Sequence, residues 1–374
     1  MRIGRKLELE LFHKITCKGE GAGFIYLVRL EDLFQVTEFE MKRCILFLAS
    51  ILIALQVEAA QQAEFCKMEP AIRELEEDPK RERDLLRDYL RDKQIVFVSG
   101  YLGCSGREFR DTRTVIRYLD RKVPLSLLCP PSGRSIEDNV RYLLRRFRAL
   151  ANRYPDRKMI LIGHSKGGTE ILQTLATYPE LFEMDETRGY QVESAVTISA
   201  PFGGSLLADL LLDINPELTE RWERFAEENG ILDNAFTRWI TKLFLDPSSD
   251  GFRSLTTSSA YERNLRLMEG MDETTREILR RKVFYVTAQR NGAVSEEDLP
   301  FFIRPIAKFL SEFESENDGL VMERDQRLSE FGTSLLQVNG ASHFSLIDQF
   351  GEPHCRREFT RLLFLNLALN AQAN

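Results

Sequence analysis

The chain predicts an α/β fold, a mostly parallel sheet covered by helices on both faces and carrying a helical cap insertion. Three observations predict it. Short runs such as 95–99, 159–162 and 192–199 are apolar throughout rather than alternating, which is how strands buried on both faces read. Segments with apolar residues at helical spacing separate these runs, as the crossover between parallel neighbours requires. The runs stop at Gly100, Pro130-Pro131, Gly163 and Pro201, so sharp loops gather at one edge of the sheet.

The 374 residues are 43% apolar and 29% charged, enough for a full core and a solvated surface, and the net charge of −7 excludes the basic face of a nucleic-acid binder. Residues 1–40 carry no repeat or motif. Gly19-Glu20-Gly21-Ala22-Gly23 lacks the third glycine, the flanking strand and the downstream acid of a dinucleotide fingerprint.

At Met41 the pattern changes. Lys42 and Arg43 precede an apolar run, 45–55, that is too short to span a bilayer, and Val57 and Ala59 suit the −3 and −1 positions of a signal-peptidase site. We read 41–59 as a signal peptide that begins at Met41, 1–40 as an extension from an upstream start, and the mature chain as exported to the periplasm or beyond. An anchor helix and a buried core helix are the alternative readings. Export removes Cys17 and Cys44 and leaves Cys66, Cys104, Cys129 and Cys355, an even set in an oxidising compartment. Cys104 follows one expected strand and Cys129 ends the next, so our hypothesis pairs them at the strands' carboxyl edge and pairs Cys66 with Cys355. The cysteines show no zinc-type spacing, and neither a metal nor a cofactor is expected.

Residues 60–93 are charge-dense, with Leu75, Leu85, Leu86, Tyr89 and Leu90 as apolar points, and read as one or two surface helices broken at Pro79, a solvated lead-in to a domain spanning 94–374. In that domain we expect strands at 95–99, 123–129, around 159–162, 192–199, 283–288 and 334–338. Helices are expected at 114–121, from Ser135 through Leu150, after Gly168, and at 356–368. Between them, 205–282 is helix-like. Leu206 to Leu212, Phe225, Phe236 and Trp239 are among its apolar residues, and we read it as a cap lining an apolar substrate pocket as well as packing on itself.

Gly163-His164-Ser165-Lys166-Gly167 joins a strand to a helix and matches the G-x-S-x-G nucleophile elbow. Gly163 and Gly167 let the chains flanking a strained Ser165 approach without Cβ atoms between them. A serine hydroxyl needs a base within reach and an acid to orient that base. Of four histidines, His13 lies in the doubtful leader and His164 in the elbow, facing away from the serine. His343, in a loop past the last strand, is favoured as base over His354 at the start of the last helix. Asp318 is favoured as acid over Asp298 and Asp325, because Gly319 permits a sharp turn and Leu320-Val321 re-enter apolar structure. The oxyanion donors are expected to be the backbone N–H groups of Lys166 and of Tyr101, the latter flanked by Gly100 and Gly103.

Four blocks together resemble the α/β-hydrolase superfamily, and within it the bacterial lipases and esterases: Val96-Phe-Val-Ser-Gly-Tyr-Leu-Gly, Gly163-His-Ser-Lys-Gly-Gly, Thr197-Ile-Ser-Ala-Pro-Phe-Gly-Gly-Ser, and Asn317-Asp-Gly-Leu-Val with His343. The resemblance covers residue 94 to the end and implies a Ser165–Asp318–His343 triad acting on ester or lipid-like substrates, with transient contact to a lipid surface among the expectations. Two residues depart from the family pattern: Ser99 stands where the oxyanion loop usually has a histidine, and Lys166 where a smaller or apolar residue is common. An acyltransferase using the same acyl-serine and a non-catalytic binding protein of this fold are the alternatives.

Overall fold

The computed structural model describes residues 78–373 apart from 102, 105–106, 183–190, 232–247, 290–303 and 348–352. The signal-peptide reading, Cys66, Trp239 and Asp298 therefore lie outside the described residues.

Six strands form one sheet: β1 (Lys93–Val98), β2 (Leu125–Leu128), β3 (Lys158–His164), β4 (Val192–Ile198), β5 (Val283–Gln289) and β6 (Thr333–Asn339). Their order is β2-β1-β3-β4-β5-β6 and every neighbouring pair is parallel. The continuous apolar runs have their cause in the layering. Ile95, Phe97, Ile160, Ile162 and Val286 face one side, against α1 (Pro79–Leu90), α2 (Arg110–Leu119) and the C-terminal α11 (Pro353–Ala373). Val96, Val98, Met159, Leu161 and Tyr285 face the other side, against α3 (Ile136–Arg153), α4 (Lys166–Thr177) and α9 (Glu273–Lys282). A strand with a helix layer on each face has no solvent side on which to place polar residues.

The chain leaves β1 in one direction to β2 and returns on the other side of β1 to β3. The strand order reverses there, and in such sheets ligands bind at the carboxyl ends of the strands on either side of the reversal. Gly100 and Ser165 stand just beyond the carboxyl ends of β1 and β3.

Several expectations are corrected. Pro79 opens α1, where its missing N–H costs nothing; Asp78 caps the helix by accepting from the N–H groups of Lys80 and Arg81. Leu86 and Leu90 are buried in the sheet's first face, so α1 belongs to the core and is not a solvated lead-in. The helix expected at 114–121 begins at Arg110, because Phe109, at φ 59°, turns the chain and stacks its ring on Phe97 with centroids 4.8 Å apart. The insertion also ends before 282: Leu279 of α9 is buried against the sheet, since the crossover from β4 to β5 must cover that face. Its earlier part does pack apart from the sheet. Leu207, Leu218, Trp222 and Phe225 of α5 (Leu206–Leu211) and α6 (Pro216–Glu228) cluster with Phe309 of α10 (Arg304–Leu310), and Ala208, Phe252 and Leu255 cluster with Ile136 and Tyr101. Phe252 lies in the short α7 (Asp250–Arg253), which precedes α8 (Thr257–Gly270). Ser135 caps α3 as expected, its hydroxyl accepting from the Asp138 N–H at 3.1 Å.

Candidate active site

Ser165 is the single residue between β3 and α4, at φ 53° and ψ −130°. A non-glycine residue there carries about 1–3 kcal/mol of strain and persists only where the surroundings fix it. They do. The Ser165 N–H donates to the Ile198 carbonyl at 2.9 Å, and its own carbonyl accepts from the Gly168 N–H at 2.9 Å. A Cβ on Gly163 would lie 2.7 Å from the Gly168 nitrogen, and one on Gly167 would lie 2.5 Å from the Ser99 carbonyl oxygen. No other residue type fits at either place, so both glycines serve close approach of backbones, and Gly167 brings the elbow against the end of β1. The Lys166 N–H, first in α4, has no acceptor among the described residues. It is therefore available to an oxyanion beside Ser165.

The loop after β1 meets the serine from the other side: a Cβ on Gly100 would be 2.9 Å from the Ser165 Cβ. Tyr101 follows directly, its hydroxyl 3.2 Å from the Ser249 hydroxyl and its ring edge-on to Phe252, so this loop and the cap touch. The expected Cys104–Cys129 disulfide is formed, with Cα atoms 5.7 Å apart, and ties this loop to the end of β2. Cys355 is also disulfide-bonded.

His343, past β6, and Asp318, in the turn between α10 and β6, are both buried and are hydrogen-bonded, Nδ1 to Oδ2 at 2.8 Å. The Asp318 Oδ1 accepts from the N–H groups of Leu320 and Val321, and the His343 N–H donates to the Asp318 carbonyl. Gly319 makes the turn at φ 96°. An ionised carboxylate only accepts, so Nδ1 carries the proton and Nε2 presents its lone pair, the tautomer a general base needs. Nε2 has no hydrogen-bond partner among the described residues, and the Ser165 hydroxyl is not bonded to it. The two are linked through His164, next to Ser165 in sequence. Its Nε2 lies 2.8 Å from the His343 carbonyl oxygen, and the two rings have centroids 4.8 Å apart.

The rivals are placed elsewhere. His354 is exposed in the first turn of α11. Asp325 packs against Gly203, and burial pushes its carboxyl above the usual range.

Sequence reasoning missed what four residues do here, His164, Glu108, Lys166 and Glu170. His164 does not merely face away from the serine; it is bound to Glu108, also buried, on one side and to the His343 loop on the other. The departure at Lys166 has a structural partner: its ammonium is buried against the Glu170 carboxylate at 2.9 Å and donates to the Arg134 carbonyl at 2.7 Å. Burial pushes the Glu170 carboxyl up, opposed by Lys166 and by Asn139, which donates at 2.7 Å. That cluster anchors the loop before α3 to the elbow helix. Glu108 and Glu170 carried no signal in a single sequence, since a charged residue in a loop or helix ordinarily faces water.

Among the described residues no group of three or more His, Cys, Asp or Glu side chains could hold a metal ion. A cavity of about 440 Å³ opens at the opposite, amino-terminal edge of the sheet, lined in part by Tyr89, Lys158, Glu193 and Arg281; Ser165, Asp318 and His343 do not border it.

No protein-family model and no curated protein matches this chain. Solved structures do. The chain is similar to a metagenomic carboxyl esterase, MGS0156, at 18% identity over 76% of each chain with a TM-score of 0.50. It also matches the mature lipase BlEst2 of Bacillus licheniformis at 21% identity over 67% of this chain and 85% of that one (TM-score 0.47), and the phospholipase PlaB of Legionella pneumophila at 14% identity over 63% and 45% (TM-score 0.41). Identities this low speak to the fold, and the fold is that of the α/β-hydrolases.

Proposed function

We propose that this α/β-hydrolase-fold chain is an exported serine hydrolase that cleaves carboxylic esters with an apolar, lipid-like acyl group. What supports the reading is a strained serine at a helix N-terminus, joined through the neighbouring His164 to the loop of a buried imidazole whose Nδ1 is bonded to a carboxylate.

Ser165 Oγ attacks the ester carbonyl while His343 Nε2 takes its proton. The oxyanion is received by the Lys166 and Tyr101 N–H groups, each such donor typically worth about 10²–10³ in rate. His343 returns the proton to the departing alkoxide, Asp318 stabilising the imidazolium, and an acyl-serine remains. Water then adds under the same base, the oxyanion collapses, and the carboxylic acid leaves with the serine restored. An apolar acyl group is supported by Tyr101, Phe252, Leu255 and Ala208, which cluster beside the oxyanion loop. Export is supported by the Cys104–Cys129 bridge, since disulfides persist in oxidising compartments.

A fluorophosphonate probe tests the reading together with a p-nitrophenyl ester series of rising acyl length. The parent should be labelled and should hydrolyse the esters, whereas Ser165→Ala should be unlabelled, lower kcat by about 10⁶ and unfold as the parent does. A Ser165→Ala protein as active as its parent refutes the proposal.

A further inference from the structure

We infer that Glu108 and His164 form a positioning strut that locks the oxyanion loop, the nucleophile elbow and the base loop into one register; the inference rests on the serine-hydrolase reading above. Both side chains are buried, at 2% and 3% exposure. One carboxylate oxygen, Glu108 Oε1, accepts the Gly100 N–H at 3.2 Å and lies 3.0 Å from His164 Nδ1. The other ring nitrogen, Nε2, lies 2.8 Å from the His343 carbonyl. A carbonyl oxygen can only accept, so Nε2 bears a proton. The path is continuous: Gly100 N–H to Glu108, Glu108 to His164, His164 to the backbone of His343.

Each end of this path sits where a small displacement reaches the chemistry. Gly100 abuts Ser165 and immediately precedes Tyr101, the proposed oxyanion donor. The His343 carbonyl belongs to the residue whose ring is the proposed base. The oxyanion loop also wraps the far side of the carboxylate: a Cβ on Gly103 would lie 2.5 Å from Glu108 Oε2. Glu108 and His164 touch neither the reacting bond nor its proton, because both nitrogens of His164 are committed to the protein. They act through position alone.

The shared oxygen makes the strut specific to a carboxyl group. A glutamine would present either oxygen or NH₂ at that point. With Nε2 protonated, the Glu108–His164 bond needs one further proton, on the carboxyl or on Nδ1; a glutamine oxygen supplies none and leaves a neutral ring's lone pair against a carbonyl, while NH₂ would meet the Gly100 N–H head-on. Glu108→Gln should therefore lower kcat by about 10²-fold, the scale of an ångström-sized misplacement, with KM within threefold of the parent and cooperative unfolding retained.

The His164 series reads the other arm. A glutamine side-chain nitrogen can take the place of imidazole Nε2, whereas an asparagine nitrogen takes the place of Nδ1. His164→Gln should keep the bond to the His343 carbonyl and retain about tenfold more kcat than His164→Asn or His164→Ala. Should Glu108→Gln fail to fold, this series decides alone. Folded variants whose kcat stays within threefold of the parent overturn the strut, and equal kcat for Gln, Asn and Ala at 164 overturns its arm to His343. Fluorophosphonate labelling of the parent separates the two levels. An unlabelled parent is a failure of the hydrolase reading and takes the strut with it; a labelled parent with indifferent variants is a failure of the strut only.

Discussion

Two buried carboxylate–imidazole pairs flank Ser165, Asp318–His343 and Glu108–His164, and they differ in what is left over. In the first, both Asp318 oxygens are satisfied, Oδ2 by His343 and Oδ1 by two backbone N–H groups, and one imidazole nitrogen has no partner among the described residues. In the second, one Glu108 oxygen serves two partners, Oε2 has no hydrogen-bond partner among the described residues, and both nitrogens of His164 are engaged. A base must have a lone pair to give; a strut must not. The contact that recurs in both, carboxylate to Nδ1, says nothing about role. The state of Nε2 decides it.

Removing each pair's imidazole or acid should therefore separate them on scale. His343→Ala should cost about 10⁶ in kcat, near 8 kcal/mol of transition-state stabilisation, measured with a short p-nitrophenyl ester. Comparable rates for His343→Ala and His164→Ala would erase the distinction. Asp318→Asn should come next, at about 10⁴, because an amide in place of Oδ2 favours the wrong His343 tautomer while leaving the fold intact.

A third buried charge near the elbow, Lys166–Glu170, should show in stability rather than rate. Lys166→Met alone leaves a buried carboxylate without its cation and should cost about 3–5 kcal/mol by urea denaturation, while Lys166→Met with Glu170→Leu should recover most of that loss.

The smallest effect belongs to Asp325, half-buried and without a side-chain hydrogen bond among the described residues, whose carboxyl is pushed above 3.8 by burial. Its folded-state pKa exceeds its unfolded one, so above 3.8 the folded state holds more proton than the unfolded state and stability falls as pH rises through the folded pKa. Asp325→Asn should be slightly more stable than the parent at pH 7, and the advantage should shrink as pH approaches 4. Equal denaturation midpoints for the two proteins at pH 7 would contradict this.

The legible parts of the chain were those governed by local pattern. Apolar runs gave the sheet because a doubly covered strand has no polar side. Gly163 and Gly167 marked the elbow because close backbone approach excludes every other residue type there. Ser135, as a helix cap, and Asp318 before Gly319 were readable from neighbours within three residues. The burial of the Lys166 side chain and of α1 was not legible because each depends on what lies across the interior: a buried carboxylate one turn along α4 and a loop from before α3 for Lys166, and a sheet face beneath α1 for Leu86 and Leu90.

The sequence by itself determined the strand runs, the strained turn at Ser165 and the short list of residues able to serve as base and acid, since these follow from spacing and from the chemistry of single side chains. Only the tertiary structure decided which histidine keeps a nitrogen to spare. That depends on Glu108 and the His343 carbonyl, 56 and 179 residues from His164 along the chain and brought to its two ring nitrogens by the folding of a parallel sheet.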